Sequence, residues 1–171
     1  SFVLGGFYQQ DPNNISHKDT LAYNTASIAY VYRSGSGVFK TDNNNGAFYT
    51  VVDATHYDDG TGILANIPGG SYAIQRVFFN PFTGRCHVYF GQNLYNTLQA
   101  ALQGLSTDSF VEADYTAHQY VLVAYLVLKG GTNDLTSTAD NAIIQAGLFR
   151  NTVGGSGGSV AVNKLSGLSD V

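Results

Sequence analysis

The chain has 171 residues and a formal net charge of −4, with 44% hydrophobic and only 12% charged residues. Globular proteins usually carry ~25% charged residues, so uncharged polar residues and Gly must supply most of this surface. Eight basic residues are too few for the electrostatic footprint of a nucleic-acid-binding protein. No apolar run reaches the ~18 residues that span a membrane, and a single Cys excludes a disulfide framework.

The N-terminal part is predicted to lead from a connector into a β-hairpin. Residues 1–15 hold Gly, Pro and Asn and are predicted to be a connector. Residues 27–33 and 38–41 are rich in β-branched and aromatic residues and flank the turn sequence SGSG, which indicates two paired strands. The chain contains no Met, and we expect it to be a segment of a longer protein.

The middle of the chain predicts a second hairpin and one helix. Two strand-like runs, at 72–79 and 86–90, flank the turn sequence NPFTG. Residues 93–103 then predict a helix, because Leu94, Leu98 and Leu102 recur at helical spacing. Asn93 is expected to cap its start, and Gly104 to end it.

The last third adds two strands and a linker. Residues 119–129 are apolar at nearly every position, which is typical of a central strand covered on both faces, and 141–150 predicts another strand. Residues 152–171 begin as a Gly/Ser linker and end as the start of a following element. The fold predicted for 16–151 is all-β: an antiparallel, jelly-roll-like β-sandwich with one short α-helix at 93–103.

Candidate ligand-binding residues lie in one loop, at Tyr57, Asp58 and Asp59. Tyr can stack on a sugar ring, and adjacent carboxylates can accept hydrogen bonds, bind a hard cation or serve acid–base chemistry. Gly60 and Gly62 flank the pair, so a turn is the plainer interpretation and is favoured. We expect no resident metal and no cofactor.

The His and Cys residues show no metal-site spacing. His17, His56, His87 and His118 form no i, i+4 pair. Cys86 and His87 are adjacent in a predicted strand, so their side chains should point to opposite faces. Cys86 is therefore predicted to be a small buried apolar residue.

Four sequence stretches form an ordered pattern along the chain: THYDDGTGIL at 55–64, YAIQRVFFNPFTGRCHVYFGQNLYNTLQAAL at 72–102, VLVAYLVLKGGTNDLTSTADNAIIQAGLF at 121–149 and LSGLSDV at 165–171. In this order they resemble bacteriophage tail-fibre and related virion proteins. The resemblance implies a non-enzymatic β-sandwich module of a fibre on the tail of a virion, which is an extracellular particle. It also implies a homo-oligomer, expected to be a trimer, with other virion tail proteins as partners and no membrane insertion or nucleic-acid binding.

Two alternatives remain open at this point. A carbohydrate-binding domain that recognises a glycan of the host surface would use Tyr with nearby Asp and Asn. A glycan depolymerase or self-cleaving chaperone segment is the less favoured alternative. A depolymerase needs two carboxylates at a defined separation, for which Asp58, Glu112 and Asp114 are the candidates.

Overall fold

The structure is a computed structural model that describes residues 27–146. The predicted connector at 1–15 and the predicted linker at 152–171 lie outside these residues, as do both boundaries of the predicted 16–151 domain. In chain order the elements are β1 (Ile28–Arg33), β2 (Phe39–Asp42), a 3₁₀ turn (Asn44–Gly46), β3 (His56–Tyr57), β4 (Ala65–Asn66), β5 (Tyr72–Asn80), β6 (Arg85–Tyr89), β7 (Leu94–Tyr95), α1 (Leu98–Thr107), α2 (Asp114–Gln119), β8 (Val121–Lys129) and β9 (Asn141–Gln145).

One mixed sheet organises the described residues. Its strand order is β2-β1-β6-β5-β8-β9, and β7 pairs with the first part of β5. A strand-rich fold with few helices is therefore confirmed. The sheet is not antiparallel throughout, because β1 runs parallel to β6. Parallel neighbours need a long connection, and residues 43–71, here called the crossover segment, lie between the β1–β2 hairpin and the β5–β6 hairpin. The jelly-roll-like sandwich remains a prediction.

The sheet is covered on both faces, as the apolar sequence of its central strands predicts. We define face 1 by a cluster that includes Tyr30, Val77, Val88 and Leu126, which packs under the crossover segment. Face 2 carries two clusters, one beneath α1 and one beneath α2 and the loop between the helices. Every residue of β5 is buried, so each face contributes a layer of core.

The helix boundaries differ from the prediction because strand pairing competes with helix formation. Leu94 and Tyr95 pair with β5, so no helix can start at Asn93. Helix α1 instead starts after Thr97, whose Oγ1 accepts the N–H of Ala100 at 3.0 Å. No helix within residues 27–146 is long and apolar enough to cross a membrane.

Gly104 was predicted to end α1, yet the helix continues to Thr107. Its lack of a side chain serves packing instead. A Cβ at this position would lie 2.5 Å from Tyr95 Oη, so only Gly lets the helix lie against β7. The second helix, α2, has six residues and was not predicted.

A buried ion pair fixes the end of α1 to the sheet. Arg76, 4% exposed at the centre of β5, donates from Nη2 to Asp108 Oδ2 at 2.9 Å. Its guanidinium also stacks over the Phe110 ring, 4.1 Å from the centroid. Asp108 accepts a second hydrogen bond from Asn93 Nδ2. Because the pair is shielded from water, removing one partner leaves an uncompensated buried charge.

We predict that Asp108→Ala lowers the free energy of unfolding by about 3–5 kcal/mol, as expected for breaking a buried pair. Asp140→Ala is the matched control, because Asp140 pairs with Lys129 at 2.8 Å with both side chains more than a third exposed. The free energy of unfolding should fall much less in this control, because water screens the exposed pair. Urea unfolding of both variants measures the difference, and equal losses would contradict the account.

Candidate functional site

The crossover segment and face 1 enclose a cleft of about 420 Å³. Ligand pockets commonly occupy ~300–1,000 Å³, so this cleft has the size for a small molecule. Its aromatic floor is Tyr30 stacked on Phe90, with ring centroids 4.5 Å apart and planes at 21°. Both rings are buried, at 3% and 2% exposed, and the half-buried Tyr49 is the aromatic side chain of the lining that reaches the surface. The residues that line it are Tyr30, Asp42, Tyr49, Val51, Val52, Asp53, His56, Leu64 and Phe90.

The main chain of Asp53 is held by side chains from two strands of the sheet. Its N–H donates to Tyr30 Oη at 2.7 Å, and its carbonyl accepts from Gln75 Nε2 at 2.5 Å. The Tyr30 hydroxyl in turn donates to the carbonyl of Val51 at 3.1 Å. Burial raises the pKa of Tyr30 far above its usual value, so this hydroxyl stays neutral and keeps its donor. The lining segment is thereby fixed to β1 and β5.

The carboxylate of Asp53 orients His56. Asp53 Oδ1 accepts from the N–H and hydroxyl of Thr55 at 2.7 and 2.5 Å, and Oδ2 accepts from His56 Nδ1 at 2.7 Å. Burial alone raises the pKa of Asp53, but hydrogen bonds from Thr55 and His56 outweigh it and hold the pKa below its usual value. With the proton on Nδ1, a neutral His56 offers Nε2 as an acceptor.

A second carboxylate, that of Asp42, lies at the end of β2. Its Oδ2 accepts from the Tyr49 hydroxyl at 2.8 Å, and its Oδ1 accepts from the Asn44 N–H at 2.9 Å. The hydrogen bond to Asp42 raises the pKa of Tyr49. The lining residues include two carboxylates and neither Lys nor Arg, so the cleft is negatively charged and rich in acceptors.

The predicted ligand residue Asp58 takes a structural role. It is 2% exposed, and its Oδ2 accepts from the Arg33 N–H at 2.9 Å and from Arg33 Nε at 3.0 Å. Its Oδ1 accepts from the Gly60 N–H at 2.8 Å, and Gly60 has φ +88°, a conformation that favours Gly. The favoured turn interpretation is confirmed for Asp58.

The other two predicted ligand residues, Tyr57 and Asp59, are placed differently. Tyr57 is half-buried in β3, whereas Asp59 is exposed and accepts from the Thr61 N–H and hydroxyl. Neither they nor Asp58 line the cleft. Ligand binding by the 57–59 loop stays a prediction, while the immediately preceding residue, His56, does face the cleft.

Sequence reasoning missed Asp42 and Asp53 as site residues. One available signal was the spacing Asp-x-Thr, which occurs at 53–55, 59–61, 114–116 and 134–136. In three of the four, the Asp carboxylate accepts from the Thr N–H and hydroxyl two residues on. In the stretch at 114–116, which lies in α2, the Thr116 hydroxyl instead donates to the carbonyl of Ala113. Only the first of the four adjoins the cleft, and this depends on tertiary packing that the spacing does not reveal.

The Cys86–His87 prediction is confirmed. Cys86 packs into the face 1 cluster, and burial raises the pKa of its thiol to about 11. His87 points to face 2, where its ring packs against Tyr115 and Tyr120. In the described part of the chain, no three His, Cys, Asp or Glu side chains gather in a way that could hold a metal ion.

The carboxylates considered for a depolymerase lie in different surroundings. Asp58 pairs with Arg33, the last residue of β1. Asp114 opens α2, and Glu112 precedes it in the loop over face 2. The depolymerase alternative stays a prediction from the sequence.

His87 generates a pH prediction. Burial, with a smaller effect of Arg85, lowers the pKa of His87 to about 4. The unfolded chain binds a proton on this residue below pH ~6.5, whereas the folded chain does so only near its lowered pKa. The stabilisation is therefore complete above pH ~6.5 and is lost progressively as the pH falls toward about 4.

We expect wild type to lose more unfolding free energy than His87→Gln between pH 7 and pH 4.5. Urea titrations at the two pH values measure this difference. His118→Gln serves as the control, because His118 is exposed on α2. Equal losses of unfolding free energy in wild type and His87→Gln would show that burial does not lower the pKa of His87.

Comparison of the chain with protein-family profiles, with curated proteins and with solved structures found no match. The resemblance to tail-fibre proteins therefore remains a prediction from the sequence, and the functional argument depends on the geometry above.

Proposed function

We propose that this chain is a non-enzymatic structural module of a phage tail fibre or host-adhesion device, located on the virion tail and assembling with copies of itself. The order of the four sequence stretches supports this family. A strand-rich domain covered by a layer that includes the β3–β4 pair is compatible with the predicted sandwich, and the jelly-roll-like form is part of the proposal. Other virion tail proteins would be its neighbours.

The observation that carries the proposal is the position of the two chain connections. Ile28 pairs with Cys86, Cys86 with Phe79, and Phe79 with Val121, so β1 and β8 begin at one end of the sheet. β9 finishes at that end too, where Gln145 pairs with Ala124. The chain therefore enters and leaves residues 27–146 at the same end, which we call the attachment end.

This arrangement is suited to a lobe that projects from a fibre. The four strand spacings between β1 and β9 place the two connections about 19 Å apart. Two apolar side chains lie exposed at the attachment end: Phe82, 91% exposed in the β5–β6 turn, and Val121, 44% exposed. Apolar side chains exposed at a point of attachment are candidates for burial against another copy.

We predict that the full chain forms an oligomer, expected to be a trimer with three times the 18.2 kDa chain mass. Phe82→Ser should weaken its association roughly 10- to 100-fold, because burying one Phe side chain contributes about 1.5–3 kcal/mol. Light scattering over a concentration series measures both quantities.

Val38→Ser is the matched control for this experiment. Val38 is 54% exposed but lies in the β1–β2 turn, at the end opposite the attachment end. Wild type that stays monomeric at all concentrations would contradict the assembly. Equal weakening by the two substitutions would contradict the assigned surface.

The cleft favours a second candidate function, recognition of a host-surface glycan. It joins the half-buried Tyr49 ring with carboxylates, a combination that holds a sugar through its C–H face and its hydroxyl groups. This function is compatible with the first, since an adhesion module can be both a fibre component and a receptor contact.

We predict that the chain binds glycans on an array and that Val51→Arg abolishes the signal. Val51 lines the cleft and is 73% exposed, so a long charged side chain there should fill the cleft without disturbing the core. Ile63→Arg is the control, because Ile63 is 78% exposed but does not line the cleft. An array without signal, or equal signals from the two variants, would exclude glycan recognition by the cleft.

A further inference from the structure

We infer that the cleft selects a sugar that carries a free amino group, an unacetylated hexosamine, over neutral and N-acetylated sugars. This inference rests on the second candidate function, glycan recognition, and specifies its ligand. Three observations carry it: the charge of the lining, its unused hydrogen-bond acceptors, and the positions of its two carboxylates around one aromatic ring.

The charge of the cleft favours a cation. Asp42 and Asp53 are its two carboxylates, and hydrogen bonds favour the charged form of Asp53. The nearby cations are held elsewhere, since Arg33 binds Asp58 and Lys40 Nζ donates to the carbonyl of Gly62 at 3.0 Å. A ligand ammonium would therefore meet carboxylates without competition from basic side chains in the lining.

The hydrogen bonds of the cleft favour a ligand that donates. A carboxylate can accept about four hydrogen bonds. Asp42 accepts two within the protein and Asp53 accepts three, so both retain acceptor capacity. In contrast, the Tyr30 and Tyr49 hydroxyls already donate to protein acceptors.

The positions of the carboxylates fit a ring-shaped ligand. Asp42 is the strand partner of Tyr30, so its Cα lies beside the Tyr30 main chain. Asp53 lies at the other end of the Tyr30 side chain, with its N–H on the hydroxyl oxygen. The aromatic floor therefore runs between two acidic groups. The half-buried Tyr49 ring lies beside this floor, 5.3 Å from the Tyr30 ring, with its hydroxyl on Asp42. A hexosamine can place its C–H face on Tyr49 and direct an ammonium and hydroxyls toward the carboxylates.

The test uses isothermal titration calorimetry of the full chain with three probes of equal length. They are a β-1,4-linked glucosamine trisaccharide, its fully N-acetylated form and the corresponding glucose trisaccharide. We expect the glucosamine probe to bind at least about tenfold more tightly than the other two, the effect of one charge-assisted hydrogen bond. Raising the salt concentration should weaken this binding, because salt screens the attraction of the ammonium.

Substitutions in the protein locate the effect. Asp42→Asn and Asp53→Asn keep the side-chain shape and should each weaken glucosamine binding about tenfold or more. Asp134→Asn is the matched control for Asp53, because Asp134 makes the same Asp-x-Thr turn outside the cleft. Near-UV circular dichroism checks that each variant retains its packing.

The outcomes distinguish failure of this inference from failure of the glycan recognition on which it rests. Equal or tighter binding of the neutral or acetylated probe would overturn amine selection while leaving glycan recognition intact. Binding of none of the three sugars would overturn the inference, and an array without signal would overturn glycan recognition as well. The last probe is a lysine derivative, Nα-acetyl-lysine methylamide. If it binds and the glucosamine trisaccharide does not, the ligand is a peptide ammonium and the inference is overturned. Undiminished binding by both cleft variants would also overturn it.

Discussion

The structure depends on two adjacent polar side chains in its most buried strand. Gln75 and Arg76 are 1% and 4% exposed in β5, and strand geometry directs them to opposite faces of the sheet. Gln75 donates to the carbonyl of Asp53 in the crossover segment, and Arg76 donates to Asp108 at the end of α1. A buried polar group is costly unless it is hydrogen-bonded, so each side chain requires its covering layer. Among residues 27–146, Gln75 Oε1 and Arg76 Nη1 are buried without a hydrogen-bond partner. The hydrogen bonds that these two side chains do form must therefore offset the cost of their burial.

The same constraint connects the fold to the cleft. Because Gln75 and Tyr30 hold the main chain of Asp53, its carboxylate can orient His56 while the aromatic floor stays fixed. A site prepared in this way loses little conformational entropy when a ligand binds. The cleft lies on face 1, whereas the two chain connections lie at the attachment end. In the proposed function, recognition would use face 1 and assembly would use the attachment end of the same module.

The sequence was sufficient to predict the elements whose composition decides their structure. Residues 119–129 and 72–79 contain the central strands because long apolar runs of strand-forming residues leave few alternatives. The helix start was wrong because Leu94 and Tyr95 form a strand pair with β5, a choice made by tertiary contacts. The cleft was not predicted either. Its lining comes from parts of the chain as distant as Asp42 and Phe90, and only the packing of the crossover segment brings them together. The parallel pairing of β1 with β6 likewise depends on that long connection.

Amide hydrogen exchange of the full chain tests most directly whether the polar pair of β5 holds the two covering layers separately. Gln75→Leu should accelerate exchange at the amides of Asp53 and Thr55 and leave α1 protected, because it removes only the link to the crossover segment. Arg76→Met should have the reverse effect, with faster exchange near Asp108 and an unchanged crossover segment. Exchange that rises equally in both layers for either variant, or in neither layer for both, would contradict the account.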